Sequence, residues 1–180
     1  MNLLLQKNGI AQYQIKYSSH GKPYLASDNS NAKFNISHSG DRVVCCYSDS
    51  EVGIDIEKIR KINCDRIAKR FFSKQEYEFL KNQCGESKTL KSFYALWTLK
   101  ESYIKALGVG LSIPLKSFSV IENGYIKEKI IDTHTKKPFY LKNTEFIHDY
   151  SLSICQENKK VIKHCNIISL KQLITNSILD

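Results

Sequence analysis

A helical stripe that ends at a glycine constrains this chain more than any other feature. Apolar residues recur at steps of three and four, the spacing of a buried helical face. They are Phe93, Leu96, Leu99, Tyr103, Ala106 and Leu107. Gly108 stands where a left-handed C-terminal cap is expected, and Pro114 prevents the helix from resuming. The pattern predicts a long helix over residues 88–107 with one face against the core.

Three chemically distinctive side chains share one face of this helix. Trp97, Glu101 and Lys105 follow one another at steps of four, so they stack about 6 Å apart along the axis. The spacing is equally explained by an ordinary ion pair between Glu101 and Lys105, one helical turn apart, beside a tryptophan in the core. We interpret Trp97 as core packing rather than as a contact of a ligand.

An earlier stretch, residues 52–57, places two acids on one face of a predicted strand. Apolar and acidic residues alternate there, so Asp55 and Glu57 point the same way, about 6.6 Å apart along the chain. Two carboxylates on a covered face repel each other unless a cation lies between them. Glu101, from a helix packed beside the strand, would complete an all-oxygen set of the kind that magnesium accepts. The alternative is a solvated edge strand carrying two ordinary acids.

The rest of the pattern predicts further strands and helices. Strands are expected over residues 11–18, 33–36 and 42–48, with a polar turn at 37–40, and helices over 3–7, 65–72 and 73–80. Ser73 and Glu76 have the spacing of a capping box, so we assign Glu76 a structural role. Strand-like segments at 118–121, 125–130, 139–146, 151–155 and 159–165 predict an antiparallel sheet over the long helix. A terminal helix is expected over 169–179.

Five motifs, in order, resemble the Sfp-type 4′-phosphopantetheinyl transferase family. They are Gly21-Lys22-Pro23; Phe34-Asn35-Ile36-Ser37-His38-Ser39-Gly40; Gly53-Ile54-Asp55-Ile56-Glu57; Arg70-Phe71-Phe72-Ser73 with Glu76; and Trp97-x-x-Lys100-Glu101-x-Tyr103-x-Lys105-x-x-Gly108-x-Gly110-Leu111. Each motif alone is weakly specific, but five in this order are a strong signal. They run from about residue 20 to about residue 120.

The resemblance implies an α+β fold of a pseudo-duplicated kind, with antiparallel sheets packed on the long helix. We expect a shortened N-terminal subdomain over 1–54 and a C-terminal subdomain over 55–180 with the acidic motif and the helix. Only 54 residues precede Asp55, fewer than in Sfp-type enzymes. We expect a chain that is naturally short or truncated, and a monomer or a self-association through this shortened half that covers an exposed sheet edge.

The resemblance also implies an activity. The family transfers the 4′-phosphopantetheine group of coenzyme A to a serine of an apo acyl or peptidyl carrier protein, and releases adenosine 3′,5′-bisphosphate. This is the holo-acyl-carrier-protein synthase type of reaction, and it depends on magnesium. The smaller synthases of the superfamily lack the Gly-Lys-Pro and Ser-His segments, so the chain is nearer the larger type.

The family's metal and catalytic residues carry over onto the two acidic stretches. Asp55, Glu57 and Glu101 are implied to hold the magnesium ion. Lys105, one turn beyond Glu101, is implied to contact a phosphate oxygen. Lys100 and Glu101 are the candidates for accepting the serine proton, directly or through a metal-bound water, and the choice between them stays open.

The family's cofactor contacts carry over onto the two upstream motifs. Lys22 and Pro23 are implied to border the coenzyme A site, although a lysine beside a turn is equally an ordinary surface residue. Ser37 and His38 are implied to bind phosphate, because a hydroxyl and an imidazole suit a diphosphate. The alternative is a turn with a capping serine and a solvent histidine. Lys105 completes this predicted set.

Composition and charge limit the other function classes. The chain has 42% hydrophobic and 25% charged residues, as expected of a soluble globular protein, and no apolar run of about 18 residues. Its start lacks a signal-peptide pattern, so we predict a cytoplasmic protein that does not engage a membrane. The six cysteines show neither a CxxC pair nor metal-ligand spacing with the histidines.

Two alternative functions follow from the same features. The net charge of +9 suggests nucleic acid, but the lysines are scattered and no nucleic-acid motif is present, so we predict none as a partner. A diffuse positive field also suits coenzyme A and an acidic carrier protein. The other alternative is a non-catalytic module of the same fold that binds coenzyme A or a carrier protein.

Overall fold

The computed structural model describes residues 14–26, 32–144 and 147–159. Within them lie three α-helices, α1 (Cys64–Phe71), α2 (Lys74–Lys81) and α3 (Glu86–Leu107), and two short 3-10 helices (Gly110–Ser112 and Leu115–Ser117). The ten strands there are β1 (Gln14–Tyr17), β2 (Pro23–Ala26), β3 (Lys33–Ser39), β4 (Arg42–Ser48), β5 (Val52–Lys58), β6 (Ile121–Glu122), β7 (Tyr125–Ile126), β8 (Lys129–Ile131), β9 (Pro138–Thr144) and β10 (Tyr150–Gln156). The helices predicted over 3–7 and 169–179, and the strand predicted over 159–165, lie outside these residues except for residue 159.

An antiparallel sheet of four strands, in the order β5-β10-β9-β8, packs on the long helix α3. The pairs β1–β2, β3–β4 and β6–β7 form separate antiparallel hairpins. This arrangement confirms the predicted α+β class, whereas the internal duplication stays a prediction. The boundary predicted between residues 54 and 55 falls within β5, and the division into two subdomains also stays a prediction. No helix in the described ranges is long and apolar enough to span a lipid bilayer.

Helix α3 ends as the sequence predicts. Gly108 adopts the left-handed conformation at the C-cap (φ 70°), and its N–H donates to the carbonyl of Ile104. Five members of the predicted apolar stripe are buried, and Leu107 packs against the same core. The helix begins two residues earlier than expected, at Glu86, after Gly85.

Strand β5 separates an apolar face from an acidic face. Val52, Ile54 and Ile56 are fully buried against β4 and β10, while Asp55 and Glu57 lie on the opposite side with Gly53. A Cβ atom on Gly53 would overlap the carbonyl oxygen of Ser102 and the amide of Ala106. Only glycine therefore allows α3 to lie this close to the acidic face of β5.

Side chains of β3 take the place of a partner strand along the outer edge of β5. Because β5 is an edge strand, alternate N–H groups point away from the sheet and need acceptors. Three alternate polar residues of β3 supply them. The bonds run from Ile54 N to Asn35 Oδ1 (2.9 Å), from Ile56 N to Ser37 Oγ (3.3 Å) and from Lys58 N to Ser39 Oγ (3.0 Å).

Three local predictions are wrong. The strand predicted over 118–121 is reduced to Ile121 at the start of β6, and the strand predicted over 125–130 is divided between β7 and β8. Residues 37–40 were expected to form a turn, but β3 continues through Ser39 and the turn is at Gly40 and Asp41. The strand persists because the side chains of Ser37 and Ser39 must alternate toward β5. Gly40 has a φ of 60°, and a Cβ there would come within 2.6 Å of the Tyr150 hydroxyl oxygen.

A buried ion pair joins α2 to α3. The capping box is present as predicted, and Glu76 also pairs with Lys100, whose Nζ lies 2.7 Å from both carboxylate oxygens. Both side chains are fully buried. The Nζ of Lys100 donates to the Phe118 carbonyl oxygen (2.6 Å), and the Val120 amide donates to Glu76 (2.8 Å). Burial lowers the pKa of Lys100, whereas Glu76 opposes that shift.

We predict that Glu76→Gln lowers the free energy of unfolding by about 3 kcal/mol, because it leaves the Lys100 ammonium buried without its counter-charge. Urea denaturation measures the loss. Lys69→Met is the control, since Lys69 and Asp65 form an exposed pair whose removal costs less than about 1 kcal/mol. Equal losses in the two variants would contradict a dominant role for the buried pair.

Candidate active site

A cleft of about 410 Å³ opens where α3 passes over β5 beside β3. The three elements line it together because Gly53 brings helix and strand into contact and because the side chains of β3 are bonded to β5. Its lining residues are Ile36, Ser37, His38, Asp55, Glu57, Trp97, Glu101 and Lys105.

Helix α3 presents Trp97, Glu101 and Lys105 to the cleft from one face, as their spacing predicts. Trp97 was interpreted as core packing, and the structure gives it two roles. Its ring stacks on Phe93 (6.0 Å between centroids) and meets Phe71 edge-on (5.8 Å), and the residue also lines the cleft.

Asp55 is the most buried acid of the cleft and is held by two donors. Its Oδ1 accepts hydrogen bonds from Lys105 Nζ (2.6 Å) and Ser37 Oγ (2.9 Å). Its Oδ2 is buried and has no hydrogen-bond partner among the described residues. Burial raises the pKa of Asp55, although the neighbouring Lys105 ammonium opposes the shift. An orphaned buried carboxylate oxygen is costly unless something binds it.

The other two acids are half-buried. Ser39 Oγ donates to Glu57 Oε2 over 2.7 Å. Burial raises the pKa of Glu101, and the negative charges of Asp55 and Glu57 raise it further. The three carboxylates therefore repel one another in a site where Lys105 supplies the nearby positive charge.

This donor set fits a divalent cation by its chemistry. Hard cations bind carboxylate oxygens, and the unpartnered Oδ2 of Asp55 is such an oxygen beside Glu57 and Glu101. The arrangement is not a closed metal centre, since no three His, Cys, Asp or Glu side chains within residues 14–26, 32–144 and 147–159 are grouped tightly enough to hold an ion. The Lys105 ammonium partly neutralises Asp55 instead.

Three predicted site residues are not among those lining the cleft. Lys100 points into the core toward Glu76, as described above. Lys22 donates to Glu51 (3.0 Å) and to the Ala106 carbonyl oxygen at the end of α3 (2.9 Å), where a cation also complements the helix dipole. Pro23 is the first residue of β2 and pairs with Tyr17.

The Ser-His segment divides between two roles. The hydroxyl of Ser37 is buried, donates to Asp55, and accepts from Ile56 N and from Lys105 (2.9 Å). His38, the next residue along β3, is exposed at the cleft. Sequence reasoning did not single out Ser39, although the alternation of Asn35, Ser37 and Ser39 was visible as a polar face.

Comparison with known proteins gives this cleft a context. A family model described as the 4′-phosphopantetheinyl transferase superfamily matches residues 51–155. The chain is 40% identical over 172 residues to 4′-phosphopantetheinyl transferase Sfp of Bacillus subtilis (strain 168). The aligned residues cover 91% of the chain and 75% of that protein. It is 39% identical over 154 residues to 4′-phosphopantetheinyl transferase gsp of Aneurinibacillus migulanus, covering 86% of the chain and 58% of the relative.

A mouse protein is a further relative. Over 114 residues the chain is 40% identical to L-aminoadipate-semialdehyde dehydrogenase-phosphopantetheinyl transferase of Mus musculus, with 57% of the chain and 37% of the mouse protein covered. The chain belongs to the 4′-phosphopantetheinyl transferase superfamily and is of the Sfp type. The matched segment contains Asp55, Glu57, Glu101 and Lys105.

We predict that Glu101→Gln stabilises the metal-free protein at pH 7 by about 1 kcal/mol, because burial and like charges disfavour the ionised carboxylate. The folded-state pKa lies above the unfolded one. The stabilising contribution of the protonated carboxyl is therefore lost as the pH rises from the usual glutamate value, about 4.3, through the raised value. The advantage of Glu101→Gln should vanish below about pH 4.

Urea unfolding with a chelator, at pH 7 and at acid pH, measures this difference. Glu128→Gln is the control, because Glu128 is an exposed acid outside the cleft. A Glu101→Gln protein that is less stable than the unchanged protein at pH 7 would contradict the assignment of strain to this carboxylate.

Proposed function

We propose that this chain transfers the 4′-phosphopantetheine group of coenzyme A to a serine of an apo carrier protein. The observation that carries the proposal is the meeting of Asp55, Glu57, Glu101 and Lys105 in one cleft. Carboxylates beside an ammonium suit a metal-assisted phosphoryl-type transfer. Membership of the family supports the same reaction.

We assign Asp55, Glu57 and Glu101 as the residues that would hold magnesium. When bound there, the ion would neutralise the diphosphate of coenzyme A and the charge that develops on the leaving phosphate. The orphaned Oδ2 of Asp55 and the raised pKa values of Asp55 and Glu101 support this assignment, because each marks negative charge in need of a cation.

Two further lining residues, Lys105 and His38, would bind the phosphates of the substrate. Lys105 reaches the cleft with its ammonium between Asp55 and Ser37, from where it can pair with a phosphate oxygen. His38 is exposed at the cleft and offers a second donor to phosphate. The hydroxyl of Ser37 donates its hydrogen bond to Asp55, so we assign Ser37 to orienting that carboxylate rather than to direct contact with phosphate. Lys22 and Pro23 remain predicted contacts of the cofactor.

The reaction is a displacement at the β-phosphorus. The serine oxygen of the carrier protein forms a bond to that phosphorus, and the bond to the bridging oxygen breaks, so that adenosine 3′,5′-bisphosphate leaves. Glu101 is the better of the two predicted acceptors for the serine proton, directly or through a water, because it lies in the cleft. The Nζ of Lys100 is buried against Glu76 and does not reach the cleft, which argues against that role.

The substrate range is part of the same proposal. The similarity to 4′-phosphopantetheinyl transferases Sfp and gsp favours a broader choice of carrier protein over the small holo-acyl-carrier-protein synthase type. The net charge of +9 complements an acidic carrier protein. The cytoplasmic location and a monomeric or self-associated state stay predictions from the sequence.

Two observations favour a second candidate, a non-catalytic module that binds coenzyme A or a carrier protein. Lys105 already pairs with Asp55, and the described acids do not form a closed metal centre. A cleft with this internal ion pair could bind a diphosphate through Lys105 and His38 without catalysing its cleavage.

We predict that incubation with coenzyme A, magnesium and an apo carrier protein adds one phosphopantetheine to the carrier protein, because the cleft holds both the acidic set and Lys105. Intact-mass spectrometry measures the gain. A chelator or Asp55→Asn should abolish it, whereas Glu128→Gln, which alters an exposed acid that does not line the cleft, should retain it. Circular dichroism checks that each variant is folded.

The outcomes separate the two candidates. No mass gain across several carrier proteins, with coenzyme A still bound in calorimetry, would favour the binding module. No gain and no binding would rule out both candidates. If transfer persists with Asp55→Asn and in the presence of chelator, the proposed reaction would stand and the proposed metal site would be refuted.

A further inference from the structure

The serines of β3 differ from Asn35 in what they can do at the edge of β5. A carboxamide oxygen only accepts hydrogen bonds, and Asn35 uses it for the amide of Ile54. A hydroxyl accepts and donates at once. Ser37 and Ser39 each accept an N–H of β5 and donate to the carboxylate of the residue immediately before that N–H.

The hydroxyl oxygen of Ser39 contacts both a backbone amide and a side-chain carboxylate of β5. Its Oγ accepts from Lys58 N over 3.0 Å and donates to Glu57 Oε2 over 2.7 Å. Glu57 is a long side chain with three rotatable bonds, and it would otherwise sample many rotamers in a half-open cleft. The hydroxyl fixes one of its two carboxylate oxygens relative to the strand that also carries Asp55.

The backbone of Ser39 is itself held in place. The turn that follows is clamped by Tyr150, whose hydroxyl donates to Asp41 Oδ1 (2.5 Å) and accepts from the Asp41 amide (3.4 Å). Gly40 permits this clamp, because a side chain there would collide with the same hydroxyl. Tyr150 belongs to β10 and pairs with Lys58 of β5. The residue that holds the turn and the residue whose amide donates to Ser39 therefore lie on neighbouring strands of one sheet.

We propose that Ser39 is a positioning residue that holds the Glu57 carboxylate in the orientation needed to bind a divalent cation. The proposal rests on the proposed function, in which Glu57 is a metal ligand. Ser37 acts similarly on Asp55, but it also contacts Lys105, so its removal would disturb two groups. Ser39 contacts a single acid and gives the cleaner test.

The experiment measures metal binding without coenzyme A or carrier protein. Mn²⁺ is the probe, and electron paramagnetic resonance counts the free ion during a titration. Ser39→Ala should weaken Mn²⁺ binding about tenfold, the usual loss when a hydrogen bond that orients a metal ligand is removed. Ser39→Thr should bind nearly as well as the unchanged protein, because it keeps the hydroxyl and suits a strand.

Asn35→Ala is the matched control. It removes a bond to the same edge of β5 but none of the hydroxyl contacts to a carboxylate, so it should lower stability and leave Mn²⁺ binding within about twofold. The magnesium concentration for half-maximal transfer should rise with Ser39→Ala in parallel with the Mn²⁺ dissociation constant. Urea unfolding reports the stability of each variant separately.

Several results would overturn the proposal. One is unchanged Mn²⁺ binding in Ser39→Ala; another is an equal loss in Asn35→Ala, which would assign the effect to the strand edge alone. Absence of Mn²⁺ binding in the unchanged protein would remove Glu57 as a metal ligand and the role of Ser39 with it. Mn²⁺ binding without any transfer would refute the proposed reaction while leaving the Ser39 comparison intact and decisive.

Discussion

The contact of Gly53 with α3 is the constraint on which the rest of the cleft depends. Because Gly53 has no side chain, the backbone of β5 lies close to Ser102 and Ala106 of α3. Neighbouring side chains of the strand and the helix can then approach one another. Glu101 and Lys105 on the helix then face Asp55 on the strand. The same closeness removes water from Asp55 and raises its pKa. The absence of a side chain at Gly53 thus accounts both for the contact between helix and strand and for the burial of the Asp55 carboxylate.

Two of the ion pairs of helix α3, Lys100–Glu76 and Lys105–Asp55, hold buried charge in opposite ways. Lys100 and Glu76 are sealed together, and backbone groups satisfy what the pair leaves over. Lys105 and Asp55 are left incomplete, with one carboxylate oxygen lacking a partner among the described residues. A satisfied pair fixes structure, whereas an unsatisfied one retains the capacity to bind. The second pair therefore lies where a ligand can reach it.

The sequence predicted what short-range periodicity controls. The cap at Gly108, the acidic face of β5 and the capping box at Glu76 depend on neighbours within about one turn or one strand, and each is present. The sequence did not predict the partners of Lys22 and Lys100, because a lysine has four rotatable bonds and tertiary packing determines which group it contacts. The β3 strand was predicted too short for a similar reason, since the acceptor role of Ser37 and Ser39 exists only once β5 lies beside them.

The opposite fates of Lys100 and Lys105 affect how variants of this motif should be interpreted. Each helical residue turns the side chain by about 100°, so Lys100 lies about 140° around α3 from Lys105. One lysine then faces the core beneath Phe118 and the other faces the cleft. A loss of activity after substitution of Lys100 would therefore report a disturbed α2–α3 contact before it reported a lost catalytic group. Activity and unfolding free energy need to be measured together at this position, because the motif places a structural charge and a chemical charge five residues apart.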